Sequence, residues 1–126
     1  AIAALNGLAV LPADMESAQS KRVVRHSANA LLDAYYDFKG EHKRWLTFGV
    51  PRAWDLLSAL KALVSHGYAR DPRFVSLLEL VLSRQDKQGQ WLCGTVSRTW
   101  SIERRNQPSK WITLDALRVL KHARLN

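Results

Sequence analysis

Residues 77–91 read LLELVLSRQDKQGQW, an apolar segment followed by a polar stretch that ends with a glycine and a tryptophan. Leu77, Leu78 and Val81 recur at the three- and four-residue spacing of a helix with a broad apolar face. Gly89 stops that pattern two residues before Trp91. The stretch therefore predicts the end of an amphipathic helix and the connection that follows it.

The same helical spacing of apolar residues recurs along most of the chain. Asp71 and Pro72 give the clearest start signal, because an aspartate caps a helix and a proline suits its first turn. The predicted helices lie within 1–11, over 17–38, from Pro51 to just before Gly67, over 72–84, and from about Ser109 to about Arg124. After Trp91 the period changes to two, which predicts one extended segment or hairpin near residues 92–103.

Self-similarity organises these helices into a repeat. The pattern Ala-Leu-x-x-Leu begins at Ala4, Ala59 and Ala116, at offsets of 55 and 57 residues. We call these three helices A helices and the two longer helices between them B helices, which gives the order A, B, A, B, A. The A helices are apolar around most of their circumference, whereas the B helices carry a charged side. This asymmetry favours a two-layer ring or solenoid with the A helices inside.

The spacing Gln85-x-x-x-Gly89-x-Trp91 resembles the QW motif of the squalene/hopene cyclase and prenyltransferase superfamily. In that family the glutamine and tryptophan stack and tie the end of an outer helix to its neighbour, so the resemblance implies a structural role for these three residues. The segment 108–118 is also similar to the C-terminal end of uncharacterised bacterial members. The resemblance implies an all-α fold of helical hairpins, an incomplete α/α toroid.

The whole of residues 1–126 is interpreted as a single domain of this kind. It is also interpreted as a fragment of a longer chain, because it opens in helix-like sequence at Ala1 without a methionine and a closed toroid needs several more hairpins. Catalytic residues, if there are any, are expected upstream of Ala1.

The reaction chemistry of the family does not carry over. Cyclases of this family protonate an alkene with an Asp-x-Asp-Asp motif, and the sequence contains none. Prenyltransferases of this fold hold zinc with aspartate, cysteine and histidine, but Cys93 has no carboxylate and histidine at ligand spacing, although Asp86 and His122 could approach it in space. No catalytic residue, metal site or cofactor is predicted.

Tryptophans on the A helices are the best candidates for a ligand cavity. Trp54 and Trp111 could line an apolar space for a polyisoprenoid, because aromatic faces attract developing carbocations. The alternative is that they are core and junction residues, which is the commoner role of tryptophans at the ends of repeats. The four histidines are isolated in sequence and are expected to have surface or capping roles.

Composition sets the remaining bounds. With 47% hydrophobic and 24% charged residues, the chain has ordinary globular usage, and no apolar run reaches the roughly 18 residues of a membrane span. One cysteine fits a reducing compartment, so we expect a cytoplasmic location. The net charge of +8 is scattered and accompanies no recognised DNA- or RNA-binding module, so nucleic-acid binding is not expected.

Two functions follow as hypotheses. The first is a terpenoid-cyclase-like domain whose A helices line an apolar cavity for an isoprenoid or lipid-like ligand. The alternative is a non-enzymatic helical-repeat scaffold that binds a protein or forms a homo-oligomer through the open ends of its repeat array.

Overall fold

A computed structural model describes residues 2–37, 46–50, 55–96 and 104–125 of the chain. This part contains five α-helices, which confirms the predicted, mostly helical class. The helices are α1 (Ile2–Ala9), α2 (Ala18–Asp37), α3 (Leu56–Val64), α4 (Pro72–Leu82) and α5 (Lys110–Leu125). Single 3₁₀ turns lie at Ala13–Met15 and Tyr68–Arg70, and four two-residue strands are β1 (Gly49–Val50), β2 (Trp91–Leu92), β3 (Thr95–Val96) and β4 (Pro108–Ser109).

The helices follow the predicted A, B, A, B, A order and pack in two groups, but the B helices are not both longer than the A helices, since α4 has 11 residues and α5 has 16. Helix α3 lies against α1 and α5, so the three A helices are neighbours. Helix α2 packs against α4, and each B helix also packs on the A helix that precedes it, α2 on α1 and α4 on α3. Helix α4 thus contacts both α2 and α3, and α2 and α3 also contact each other.

Helix α3 is the centre of the core. Seven of its residues are buried: Leu56, Leu57, Ala59, Leu60, Ala62, Leu63 and Val64. Burial on several sides explains its apolar circumference, because α1, α4 and α5 all pack on it.

The start of α3 corrects the sequence prediction. The helix begins at Leu56, later than the predicted Pro51, because Asp55 has an extended backbone and its carboxylate accepts a hydrogen bond from the Ser58 N–H. An aspartate in that conformation is an N-cap, which lies outside the helix it starts. Residues 51–54, including Pro51 and Trp54, lie outside the described residues.

The extended segment forms, but its strands pair with distant parts of the chain. Strand β2 pairs antiparallel with β4, with Trp91 opposite Ser109, and β3 pairs parallel with β1. The hairpin alternative is therefore not what residues 91–96 adopt, and residues 97–103 lie outside the described part. Each pairing joins segments that precede or follow different helices, so the strands hold together the loops that lead to or from α3, α4 and α5.

Candidate functional site

Trp91 joins the end of α4 to the start of α5 through its side chain and its backbone. It is fully buried, and its Nε1 donates a hydrogen bond to the Val81 carbonyl over 2.8 Å. Its backbone N–H donates to the hydroxyl of Thr113 in α5 over 3.0 Å. One residue thus satisfies a carbonyl in the last turn of α4 and contacts the next A helix.

The turn between α4 and Trp91 is built by the other two residues of the motif. Gly89 has a φ of 79°, a left-handed backbone that favours glycine. The Gln85 side chain donates from Nε2 to the Gly89 carbonyl over 3.1 Å. Gln85, Gly89 and Trp91 therefore act together, and none of the three carries a group suited to proton transfer or nucleophilic attack.

Asp86 has a role in this turn that was not predicted from the sequence. Its Oδ1 accepts hydrogen bonds of 2.9 Å from the backbone N–H groups of Gln88 and Gln90. An aspartate two residues before a backbone donor is a known turn signal, so Asp86 could have been predicted from its spacing to Gly89.

Ser109 completes the junction from the side of α5. It is buried opposite Trp91 in the β2–β4 pair, and its hydroxyl accepts a hydrogen bond from the Ile112 N–H over 3.1 Å. This bond satisfies one of the unpaired donors at the start of α5.

Trp111 does not join this junction. It is 48% exposed on α5, on the side away from the buried Ile112, Ala116 and Val119. Leu114 and Leu117 share the exposed side at 40% and 48%. The structure therefore places this candidate cavity residue on an open surface, whereas the other candidate, Trp54, lies outside the described residues.

A groove adjoins this surface between the end of α4 and α5. It has a volume of about 490 Å³ and is lined by Leu82, Gln85, Leu117, Leu120, Lys121 and Arg124. Its floor is leucine and its rim is basic. The groove was not predicted from the sequence, although the spacing of Trp111, Leu114 and Leu117 is a signal that α5 has a second apolar side.

A polar cluster fastens α4 to α2. The Arg73 guanidinium contacts Asp71 at 2.7 Å, Asp33 at 2.6 Å and the Asn29 side-chain oxygen at 2.7 Å. The hydrogen bond from the Arg73 side chain lowers the pKa of Asp71, and the bonds to Asp71 and then Asp33 raise the pKa of Arg73. The Asp71 Oδ1 also accepts the Arg73 N–H and so caps α4. These groups satisfy one another, which is typical of a structural ion cluster.

Three further titratable side chains, Tyr35, His66 and Cys93, are buried or partly buried. Burial, with the nearby charge of Asp55, raises the pKa of Tyr35 to about 12. His66 Nε2 lies 2.7 Å from the Leu5 carbonyl, and Cys93 is a buried free thiol. Within the part of the chain that the structure describes, no three histidine, cysteine or carboxylate side chains are grouped as metal ligands.

Comparisons of the chain with protein-family models, curated proteins and solved structures find no match. Among the described residues, none of the helices has the length and apolar character needed to cross a bilayer.

Proposed function

We propose that this chain is a non-enzymatic helical-repeat scaffold that docks a protein helix on the open edge formed by α5 and the end of α4. We call this surface the α5 edge and define it by Trp111, Leu114, Leu117 and the groove at Leu82 and Leu120. The proposal rests on one comparison between equivalent residues of the repeat.

Leu5, Leu60 and Leu117 occupy the same position of the A-helix pattern. Leu5 and Leu60 are completely buried, whereas Leu117 is 48% exposed. Helices α1 and α3 each pack against the B helix that follows them in the chain. An apolar side that is covered in two repeats and open in the third is typical of an interaction surface.

The test uses a hydrophobic dye and light scattering on the chain as it stands. We expect the wild-type protein to enhance dye fluorescence and Leu117→Glu to reduce that enhancement by more than half. Val10→Glu is the matched control, because Val10 is 81% exposed and lies outside the α5 edge. The circular dichroism of both variants should match that of the wild type.

The two measurements separate the outcomes. An absence of dye enhancement in a clean wild-type monomer would overturn the proposal. A wild-type mass that is a multiple of 14.3 kDa and returns to the monomer in Leu117→Glu would show that the surface joins copies of the chain.

A second candidate function is that of a terpenoid-cyclase-like domain, in which the helices form part of an α/α toroid that holds an isoprenoid or lipid-like ligand. It is supported by the adjacency of the three A helices and by the exposed indole of Trp111 on one of them. We expect native mass spectrometry with a polyprenol to show a bound species that Trp111→Ala removes; no bound species in the wild type would count against it.

A cytoplasmic location is part of both candidates. Its support is the single cysteine, Cys93, which is a free thiol in the core. Fractionation of the native host that recovers the protein outside the cytoplasm would contradict it.

A further inference from the structure

We infer that the helix docked at the α5 edge is an acidic amphipathic helix of another protein, seated in the groove between the end of α4 and α5. The inference rests on the proposed function and adds the chemistry of the partner. Geometry within the repeat indicates where a helix fits, and the charges of α5 indicate which helix fits.

The seat has a precedent within the chain. Helix α4 contacts both α2 and α3, so a B helix lies against the preceding B helix and its own A helix. The same relationship, moved forward by one repeat, places a helix against α4 and α5. That position is the groove lined by Leu82 of α4 and by Leu117 and Leu120 of α5.

The floor of the groove specifies the apolar face of the occupant. Helix α4 presents Phe74, Leu77 and Val81 to the core, at spacings of three and four. Leu82, at 36% exposed, and Leu117, at 48%, offer accessible apolar side chains to a helix with the same spacing. Recognition of this kind uses a few large apolar anchors one helical turn apart.

The rim specifies the charge. Helix α5 exposes four cations outside its buried face: Lys110, Arg118, Lys121 and Arg124. Its only carboxylate, Asp115, lies 3.1 Å from Lys61 of α3 and is therefore already paired. Lys121 and Arg124 line the groove, and no carboxylate lines it. Carboxylates on the occupant would complement this rim, whereas lysines would meet like charges.

The same charges disfavour a second copy of this chain as the occupant. A symmetric pair through the α5 edge would bring two sets of these cations together, in a chain whose net charge is already +8. Helix α1, the A helix at the opposite end, contains no charged residue that could neutralise them. A foreign acidic helix satisfies both the leucine floor and the basic rim.

The experiment uses two designed peptides of about 15 residues, long enough for marginal helix formation. Both carry leucines at the α4 spacing; one has glutamates on its flanks and the other has lysines at the same positions. Fluorescence anisotropy measures their binding to the wild-type chain and to Lys121→Glu/Arg124→Glu. The matched control is Arg22→Glu/Arg25→Glu, two exposed cations of α2 at the same spacing and with the same change of charge.

We expect the acidic peptide to bind the wild type and the control, and to bind Lys121→Glu/Arg124→Glu about tenfold more weakly or worse. Its affinity should also fall as salt rises from about 0.05 M to about 0.5 M. The lysine peptide should bind the wild type at least about tenfold more weakly than the acidic peptide does.

Three results would overturn the inference: equal binding of the two peptides, no binding of either, or unchanged binding to the groove variant. Binding of phosphatidylglycerol vesicles, without peptide binding, would assign the surface to lipid and also overturn it. Because the dye and light-scattering results do not depend on either peptide, the docking surface itself can stand while the acidic partner fails. For example, a wild-type oligomer that Leu117→Glu dissociates would support the docking surface and contradict the acidic partner.

Discussion

The indole nitrogen of Trp91 lies 2.8 Å from the Val81 carbonyl, ten residues earlier in the chain. The carbonyl belongs to the last turn of α4 and also accepts a hydrogen bond from the Arg84 N–H over 3.1 Å. Trp91 also donates from its backbone N–H to Thr113, so one buried residue contacts both the end of a B helix and the start of the next A helix.

Trp91→Phe should destabilise the fold by about 2 kcal/mol or more, because the buried hydrogen bond from the indole to the Val81 carbonyl is lost and the smaller ring leaves a space. Urea denaturation at neutral pH measures the change. Trp111→Phe is the control and should stay within about 0.5 kcal/mol of the wild type, since Trp111 is half-exposed. Equal effects of the two substitutions would contradict the assignment of Trp91 as the junction residue.

Gly94→Ala should cost about 1–3 kcal/mol through overpacking. A Cβ at Gly94 would lie 2.5 Å from the Cγ2 of Thr47, and the Gly94 N–H donates to the neighbouring Phe48 carbonyl, which restricts movement apart. Thr47→Ser removes the obstructing methyl group, so the double variant should recover most of the loss. If Thr47→Ser brings no recovery, the close approach is not the cause.

Gly7→Ala, with no atom within 4 Å of its added Cβ, should stabilise α1 by about 0.5–1 kcal/mol.

Ser109→Ala should cost about 1 kcal/mol, because the Ile112 N–H loses its capping acceptor at the buried start of α5. Thermal unfolding followed by circular dichroism is sufficient to detect it. Ser83→Ala is the comparison: its hydroxyl bonds the Leu80 carbonyl at an exposed site, and the change should be within about 0.5 kcal/mol. A larger loss of stability for Ser83→Ala than for Ser109→Ala would contradict the capping role of Ser109.

Asp71→Asn should change how stability depends on pH. The pKa of Asp71 is lowered in the folded state by the Arg73 side chain, so its charged form stabilises the fold above the unfolded pKa of about 3.9. That contribution is lost as the pH falls through the lower folded pKa. Asparagine can still cap α4 but does not titrate.

Wild type should therefore be more stable than Asp71→Asn at about pH 7, and the difference should shrink toward about pH 3. Urea denaturation across this range measures it, with the exposed Asp14→Asn as the control variant. A difference that stays constant or grows in acid would show that the Arg73 contact does not carry the effect.

The sequence by itself determined the helices and their order, because apolar spacing, N-caps and glycines act over a few residues and can be read locally. The repeat of Ala-Leu-x-x-Leu placed three A helices, and the spacing of Gln85, Gly89 and Trp91 marked the end of α4. The QW resemblance and its toroid stay a proposal, since the observed contacts of these three residues describe one junction and do not describe a ring.

Only the tertiary structure decided which of two similar residues is buried. Trp91 and Trp111 are both tryptophans beside an apolar run, yet one is enclosed and the other is 48% exposed. Likewise, Leu60 and Leu117 share a repeat position, yet Leu60 is fully buried and Leu117 is 48% exposed. Burial depends on what packs against a residue from distant parts of the chain. Local periodicity identifies the apolar faces of a helix, but it does not show which of two such faces another element packs against.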